Sequence, residues 1–212
     1  MSRQSHRDRI YDLLLTRIQN GEVGWQDRLV DVNLGMELGV SRMPVRDALL
    51  QLAAEGYLVA TTRGFTLPSL TPAEVLEVFE LRRLLEPRAA AMAAQAMTPE
   101  RLDALAQAVE QAQGTLGSGD IPLFFRASER FRSGWLSMVP NRALLDTIRR
   151  YMAQVQTVRL TTMRDPVSHA VVIAGQRELL AAFAARDVVG ASDRMLRFVV
   201  EGEQAFRRLA AI

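Results

Sequence analysis

The chain has 212 residues, enough for one large domain or two small ones, and 49% of them are hydrophobic, enough for real cores. It contains no cysteine, which excludes disulfides, thiolate metal ligands and thiol nucleophiles. All 26 basic residues are arginine, yet the formal charge is only +2. Residues 1–70 carry eight arginines against eight acids, so this is no polybasic module; a nucleic-acid role rests on where the arginines point.

No stretch reaches the roughly 18 apolar residues of a membrane span. The start Met1-Ser2-Arg3-Gln4-Ser5-His6 leads into no signal-type apolar core, so a cytoplasmic protein without membrane contact is expected. Ile10, Leu13, Leu14 and Ile18 recur at helical spacing, which predicts a first helix from His6 to Ile18, ended by Asn20-Gly21. Gly24 to Leu29, with Trp25 inside it, reads as a loop feeding a short helix from about Asp31 to Leu38. Gly39 suits a left-handed position at its end. Ser41 is placed to cap the next helix, its hydroxyl taking a free amide near Pro44, and Pro44 lies in the first turn, where a missing donor costs little. That helix runs to Glu55 and stops at Gly56. Tyr57-Leu58-Val59-Ala60 and Phe65-Thr66-Leu67 alternate around Thr62-Arg63-Gly64, which predicts a small hairpin wing.

Pro68 to Pro72 reads as a linker, dividing the chain into 1–70 and 71–212. Beyond it helices are predicted at 72–96, 99–113, 121–138, 141–162, 167–185 and 188–208, with Thr71, Thr98 and Pro140-Asn141 as starts. Gly114 to Asp120, with three glycines, reads as a flexible loop. The expected fold is mostly α: a winged helix-turn-helix, then an all-helical antiparallel bundle of about six helices, able to enclose a pocket.

Arg42 and Arg46 are four residues apart, on one face of the second helix of the predicted helix-turn-helix, while Val45, Ala48, Leu49 and Leu52 face the other way. Such a helix lies in the major groove, where an arginine can pair bidentately with guanine O6 and N7. The amides at its start, near Ser41 and Pro44, favour a phosphate. Arg63 beside Gly64 at a hairpin tip can touch phosphate or the minor groove, and Arg3, Arg7 and Arg9 can add backbone contacts. Enzyme chemistry finds no support: there is no glycine-rich phosphate loop and no glycine-framed serine nucleophile. A purely helical interaction protein is the alternative, and it expects no operator binding.

With Leu38-Gly39-Val40-Ser41-Arg42-Met43-Pro44-Val45-Arg46-Asp47-Ala48-Leu49, Leu52-Ala53-Ala54-Glu55-Gly56-Tyr57-Leu58 and Arg63-Gly64, residues 9–68 resemble the winged helix-turn-helix of GntR-type bacterial regulators. Asp47 stands where the family usually has Glu. The resemblance implies DNA contacts at Arg42, Arg46 and the Arg63-Gly64 wing, and dimers on palindromic operators. Glu77 to Glu86, Phe131 to Asn141, and Arg186-Asp187 with Ala191 and Met195 resemble the FCD domain of that family's fatty-acid-regulator branch. This implies a small-molecule effector, often a carboxylate or sugar acid, and a dimer contact in 71–212. Most relatives of this kind are repressors released by their effector.

Many members of the branch hold a divalent metal with one Asp and three His. Those positions here carry Ser128, Arg132, Gln176 and Phe198, and the only histidines are His6 and His169, so no metal and no cofactor are expected. An inward Arg132 needs a partner. Either an anionic effector supplies it, or a protein carboxylate does: Glu129, Glu178 or another. Arg82 and Arg159 are further inward candidates, Gln176 offers hydrogen bonds and Trp135 a flat wall. A third reading is an apolar site for an acyl or aromatic effector, lined by Phe124, Phe125, Phe131, Trp135, Phe183 and Phe198.

Overall fold

The computed structural model describes residues 6–24 and 26–212. The phosphate contact expected of Arg3 and the loop position of Trp25 lie outside the described residues. In chain order the elements are α1 (His6–Gln19), α2 (Asp31–Leu38), α3 (Arg42–Ala54), β1 (Val59–Thr61), β2 (Gly64–Thr66), α4 (Pro72–Ala96), α5 (Pro99–Ser118), α6 (Ile121–Leu136), α7 (Arg142–Gln154), α8 (Gln156–Met163), α9 (Pro166–Ala184) and α10 (Val188–Ala210). They form two compact units. One runs to Leu70 and includes Arg149–Thr157; the other holds Thr71–Ile148 and Val158–Ile212. Among the described residues no helix is long and apolar enough to cross a membrane.

The first unit closes around one core. Ile10, Leu14 and Ile18 of α1 meet Leu34 of α2, Val45, Ala48, Leu49 and Leu52 of α3, and Phe65 of the wing. Burying these side chains stabilises the unit by about 1.5–3 kcal/mol for each large one. Polar groups lock α1 to α3: Tyr11 donates to Glu55, Gln51 Nε2 donates to Glu55 Oε1 at 3.0 Å, and Arg7 donates to Gln51 at 2.9 Å. Gly39 closes α2 in the left-handed region, at φ 64°. Strands β1 and β2 pair antiparallel, Val59 with Thr66 and Thr61 with Gly64. Leu29 adds a further bridge to Phe65, with N–H···O bonds of 2.8 and 2.9 Å. Gly64 is required there: its φ is 126°, and a Cβ would stand 2.8 Å from the Leu29 carbonyl oxygen.

Ser41 departs from expectation. Its backbone takes the extended conformation of a cap, but its side chain makes no capping bond. The reason is local. A capping oxygen takes the N–H of the second or third helical residue; the third here is Pro44, which has none, and Ser41 makes no bond to the second, Met43, either.

From Thr71 onward the described residues form seven helices, α4 to α10, rather than about six. The stretch expected as one helix over 141–162 divides into α7 and α8 at Val155, with no proline or glycine to mark the break. The expected loop at Gly114 to Asp120 is also corrected: α5 continues through Gly114 and Gly117 to Ser118. Turn chemistry sets the helix starts. Thr71 and Glu74 form a reciprocal capping box on α4, and Thr98, Asp120, Asp165 and Asp187 each accept an amide at the start of α5, α6, α9 and α10. Asn141 Oδ1 accepts from the Leu144 amide ahead of α7. Phe124, Phe131, Trp135, Leu179, Phe183 and Val199 are buried in the interior of this unit.

Candidate nucleic-acid interface and effector site

Helix α3 has an apolar face and an arginine face, set by its 3.6-residue period. Val45, Ala48, Leu49 and Leu52 are fully buried. The side chains of Arg42 and Arg46 are 57% and 49% exposed. They are not loose. Arg42 Nε donates to Asp31 Oδ2 at 2.9 Å, and Arg46 Nη1 approaches the same oxygen at 3.4 Å. Asp31 opens α2 and is buried. The hydrogen bond from Arg42 leads the causes that hold its carboxyl below the usual carboxylate range. One buried carboxylate therefore fixes two exposed guanidinia side by side, and the bond through Nε leaves both terminal nitrogens of Arg42 as donors.

Ser41 is exposed at the start of α3 and Pro44 is half-buried. Arg63 is exposed at the wing tip, where its amide donates to Thr61 Oγ1 at 3.2 Å and the Thr61 hydroxyl donates to the Gly64 carbonyl at 2.9 Å. Arg9 is exposed on α1 with a guanidinium nitrogen 3.1 Å from His6 Nδ1. Sequence reasoning missed Asp31. An acid at a helix start reads simply as a partner for the helix dipole. Its bonds to residues 11 and 15 positions later come from tertiary folding.

In the second unit Glu86 of α4 is fully buried and receives two arginines. Arg82 Nε donates to it at 2.9 Å, and two nitrogens of Arg132 lie 3.4 Å from its two oxygens. Burial by itself would raise the Glu86 pKa, but the charges of Arg132 and Arg82 outweigh it and hold the group at about 2. Arg132 has an internal carboxylate partner, and it is Glu86 rather than Glu129 or Glu178. Glu129 pairs with Arg159 at 2.5 Å, and Glu178 with Arg194 at 2.9 Å. Glu201 also pairs with Arg194, at 3.0 Å. Sequence reasoning missed Glu86 as a partner, though Arg82 and Glu86 are four apart in one helix, a spacing that brings side chains together.

Ser128 and Gln176 are buried, and Ser128 Oγ and Gln176 Oε1 have no hydrogen-bond partner among the described residues. Trp135 is buried against Phe183, ring centroids 6.2 Å apart. Phe198 is half-buried, 5.9 Å from the Arg194 guanidinium carbon. His169 packs on Phe124 at 3.8 Å, its Nε2 lies 2.8 Å from Thr115 Oγ1, and burial lowers its pKa. Among the described residues no group of three or more His, Cys, Asp or Glu side chains could hold a metal ion.

A two-helix turn with a wing, joined to an all-helical bundle, defines a class of bacterial regulator, and comparison with known proteins agrees. Residues 6–67 match the family model for bacterial regulatory proteins, gntR family, and residues 77–201 match the FCD domain. The chain belongs to the GntR family, in its FadR/FCD branch; proteins of this family are transcription factors, not enzymes. It is 35% identical over 106 residues to the HTH-type transcriptional regulator McbR of Escherichia coli (strain K12), covering 50% of this chain and 48% of that one. It is 29% identical over 136 residues to the Nta operon transcriptional regulator of Aminobacter aminovorans, covering 63% of each. These two matches thus span less than two thirds of either relative. The HTH-type transcriptional repressor RspR of Escherichia coli (strain K12) is 24% identical over 97% of this chain and 91% of its own. The solved structure of E. coli McbR/YncC shares the fold, with a TM-score of 0.84 at 24% identity over 97% of this chain and 99% of that one.

Proposed function

We propose that this protein is a DNA-binding transcriptional repressor that acts as a homodimer on a palindromic operator in the cytoplasm. Residues 1–70 read the DNA and residues 71–212 bind a small-molecule effector and carry the dimer contact. The observation that carries the reading is the pair Arg42 and Arg46, exposed on the first two turns of α3 and fixed together on Asp31. Two guanidinia held in place on a helix meet base edges with less ordering cost than free side chains do. Arg63 and Arg9 supply phosphate contacts on either side, and Ser41, Pro44 and Gly64 shape the backbone that approaches the duplex. RspR, similar along nearly the whole chain, is a transcriptional repressor, which supports the sign of regulation.

A dimer doubles a short reading head, which raises affinity and specificity together. An effector that binds two arrangements of the bundle unequally shifts their populations, and with them the operator affinity. Arg82, Ser128, Arg132, Trp135, Arg159, Gln176 and Phe198 are the proposed effector-binding set. An anionic effector at Arg132 would compete with Glu86 for the guanidinium. The apolar reading, with Phe124, Phe125, Phe131, Trp135, Phe183 and Phe198 lining the site, is the alternative; all but Phe198 are buried.

The test is selection of bound fragments from a random DNA pool, followed by anisotropy on the enriched site. The reading expects a two-fold symmetric site and loss of that binding in Arg46→Ala. A protein that enriches no sequence would be the helical interaction module instead.

A further inference from the structure

We propose that Met43 contacts the 5-methyl group of a thymine in each operator half-site, beside the base that Arg42 or Arg46 reads. This rests on taking α3 as the DNA-reading helix, and gives that helix an apolar specificity contact that its arginines do not provide.

The azimuths of α3 single Met43 out. At about 100° per residue, the buried side chains Val45, Ala48, Leu49 and Leu52 fill an arc of about 100°. Met43 lies within about 10° of the direction opposite the middle of that arc. Arg46 is about 70° to one side of that direction and Arg42 about 110°, while Asp47 is about 30° to the other side. Met43, 63% exposed, is therefore the side chain that stands squarely outward.

Asp31 keeps the arginines on their flank. Both guanidinia turn to its carboxylate, at 2.9 and 3.4 Å, and so are held toward α2. Met43 is also the second residue of α3, in the part of a reading helix that lies against base edges.

The base follows from what a methionine can do in a groove. Its side chain has no donor and only a weakly accepting sulfur. In the major groove guanine, adenine and cytosine present donors and acceptors, and thymine alone also presents a methyl group. Against the first three, Met43 would strip water from polar atoms and return no hydrogen bond, which is costly. Against thymine it covers a methyl and buries its own exposed apolar surface. Its unbranched chain has three rotatable bonds and adapts to where that methyl stands.

The duplex enriched from the random pool supplies the probe. Each of its thymines is replaced in turn by deoxyuridine, which removes only the 5-methyl, and each duplex is titrated by anisotropy against the full-length protein. At one thymine in each half-site the affinity should fall about fourfold, the worth of one buried methyl group. Met43→Gln, which keeps the length and loses the apolar end, should bind the thymine and deoxyuridine duplexes alike. Met43→Leu should keep the difference. Changing that T·A pair to C·G should weaken binding by the parent protein, and 5-methylcytosine in its place should recover part of the loss. Leu50→Ala removes another exposed apolar side chain, about two turns further along α3, and should leave the methyl preference unchanged. All three variants should melt near the parent temperature, because both positions are exposed. A bound duplex in which no methyl matters, or an equal methyl preference in Met43→Gln, would overturn the inference and leave the repressor reading standing. A pool that yields no enriched duplex would sink that reading, and the inference with it.

Discussion

Arg42 donates through Nε to the carboxylate of Asp31, 2.9 Å away and 11 residues earlier in the chain. The carboxylate is buried and the guanidinium is more than half exposed, so the acid acts as an anchor and the base as its outward arm. Asp31→Asn keeps the shape and removes the charge. Arg42 and Arg46 then gain net positive charge toward phosphate and lose their fixed geometry. Binding to non-operator DNA should tighten, and the preference for operator should fall by about tenfold, a change of ~1.4 kcal/mol. Anisotropy titrations on operator and scrambled duplexes over a salt series measure both. An unchanged preference would show that Asp31 does not orient the arginines.

The arginines of α3 and of the wing should behave differently. Arg46→Ala or Arg42→Ala should cost about 1–3 kcal/mol on operator and little on scrambled DNA, if each makes a base contact. Arg63→Ala should weaken both duplexes alike and reduce the salt slope by about 1, as a lost phosphate contact does. A uniform loss in all three variants would assign them all to the backbone.

Glu86 is the most consequential buried charge. Burial disfavours its ionised form, yet Arg132 and Arg82 hold its pKa at about 2, below the ordinary 4.5. Because the folded-state value is depressed, its contribution to stability is complete above pH 4.5 and is lost as pH falls toward about 2. Glu86→Gln should destabilise the bundle by about 3–5 kcal/mol at neutral pH, since it leaves two guanidinia without their shared carboxylate. It should also flatten the acid limb of the stability curve. Urea denaturation from pH 6 down to 2 measures both effects.

The first unit was largely legible because its signals are local. The periodicity of α1, Gly39, the arginine face of α3 and the glycine at the wing tip each act within a few residues, and each appears in the structure. What escaped is long-range or depends on competition between signals. Asp31 meets Arg42 only after α2 and α3 have packed. Residues 149–157 group with the first unit although they lie far beyond the linker. The partner of Arg132, Glu86, lies on another helix, 46 residues earlier, and only the packing of α4 on α6 brings the two together. Ser41 makes no cap because its hydroxyl bonds neither of the amides in reach, and one of the two positions, Pro44, has no N–H to offer.

The resemblance implies one Asp and three His around a divalent metal, and this chain should not depend on such an ion. With Ser128, Arg132, Gln176 and Phe198 at those positions, the donor set does not suit a divalent cation. Chelator should leave the melting temperature unchanged, and zinc or nickel should not raise it. Stabilisation by either ion, reversed with chelator, would place a metal in the bundle by ligands other than these.

Gly114 lies inside α5 although glycine weakens a helix. Three glycines between 114 and 119 weaken helix propensity, but α5 carries on to Ser118, with Ala112 and Thr115 buried against the bundle. Packing of that face overrides the propensity. Gly114 is helical, and a Cβ added there meets nothing within 4 Å. Gly114→Ala should therefore stabilise the protein by about 0.5–1 kcal/mol. Gly119 is the opposite case: it ends the helix at φ 68°, so Gly119→Ala should cost about 1 kcal/mol or more although a Cβ there also has open space. Melting temperatures moving in opposite directions for these two substitutions would establish the end of α5. A loss of stability in Gly114→Ala would mean that the helix stops earlier, where the glycines begin.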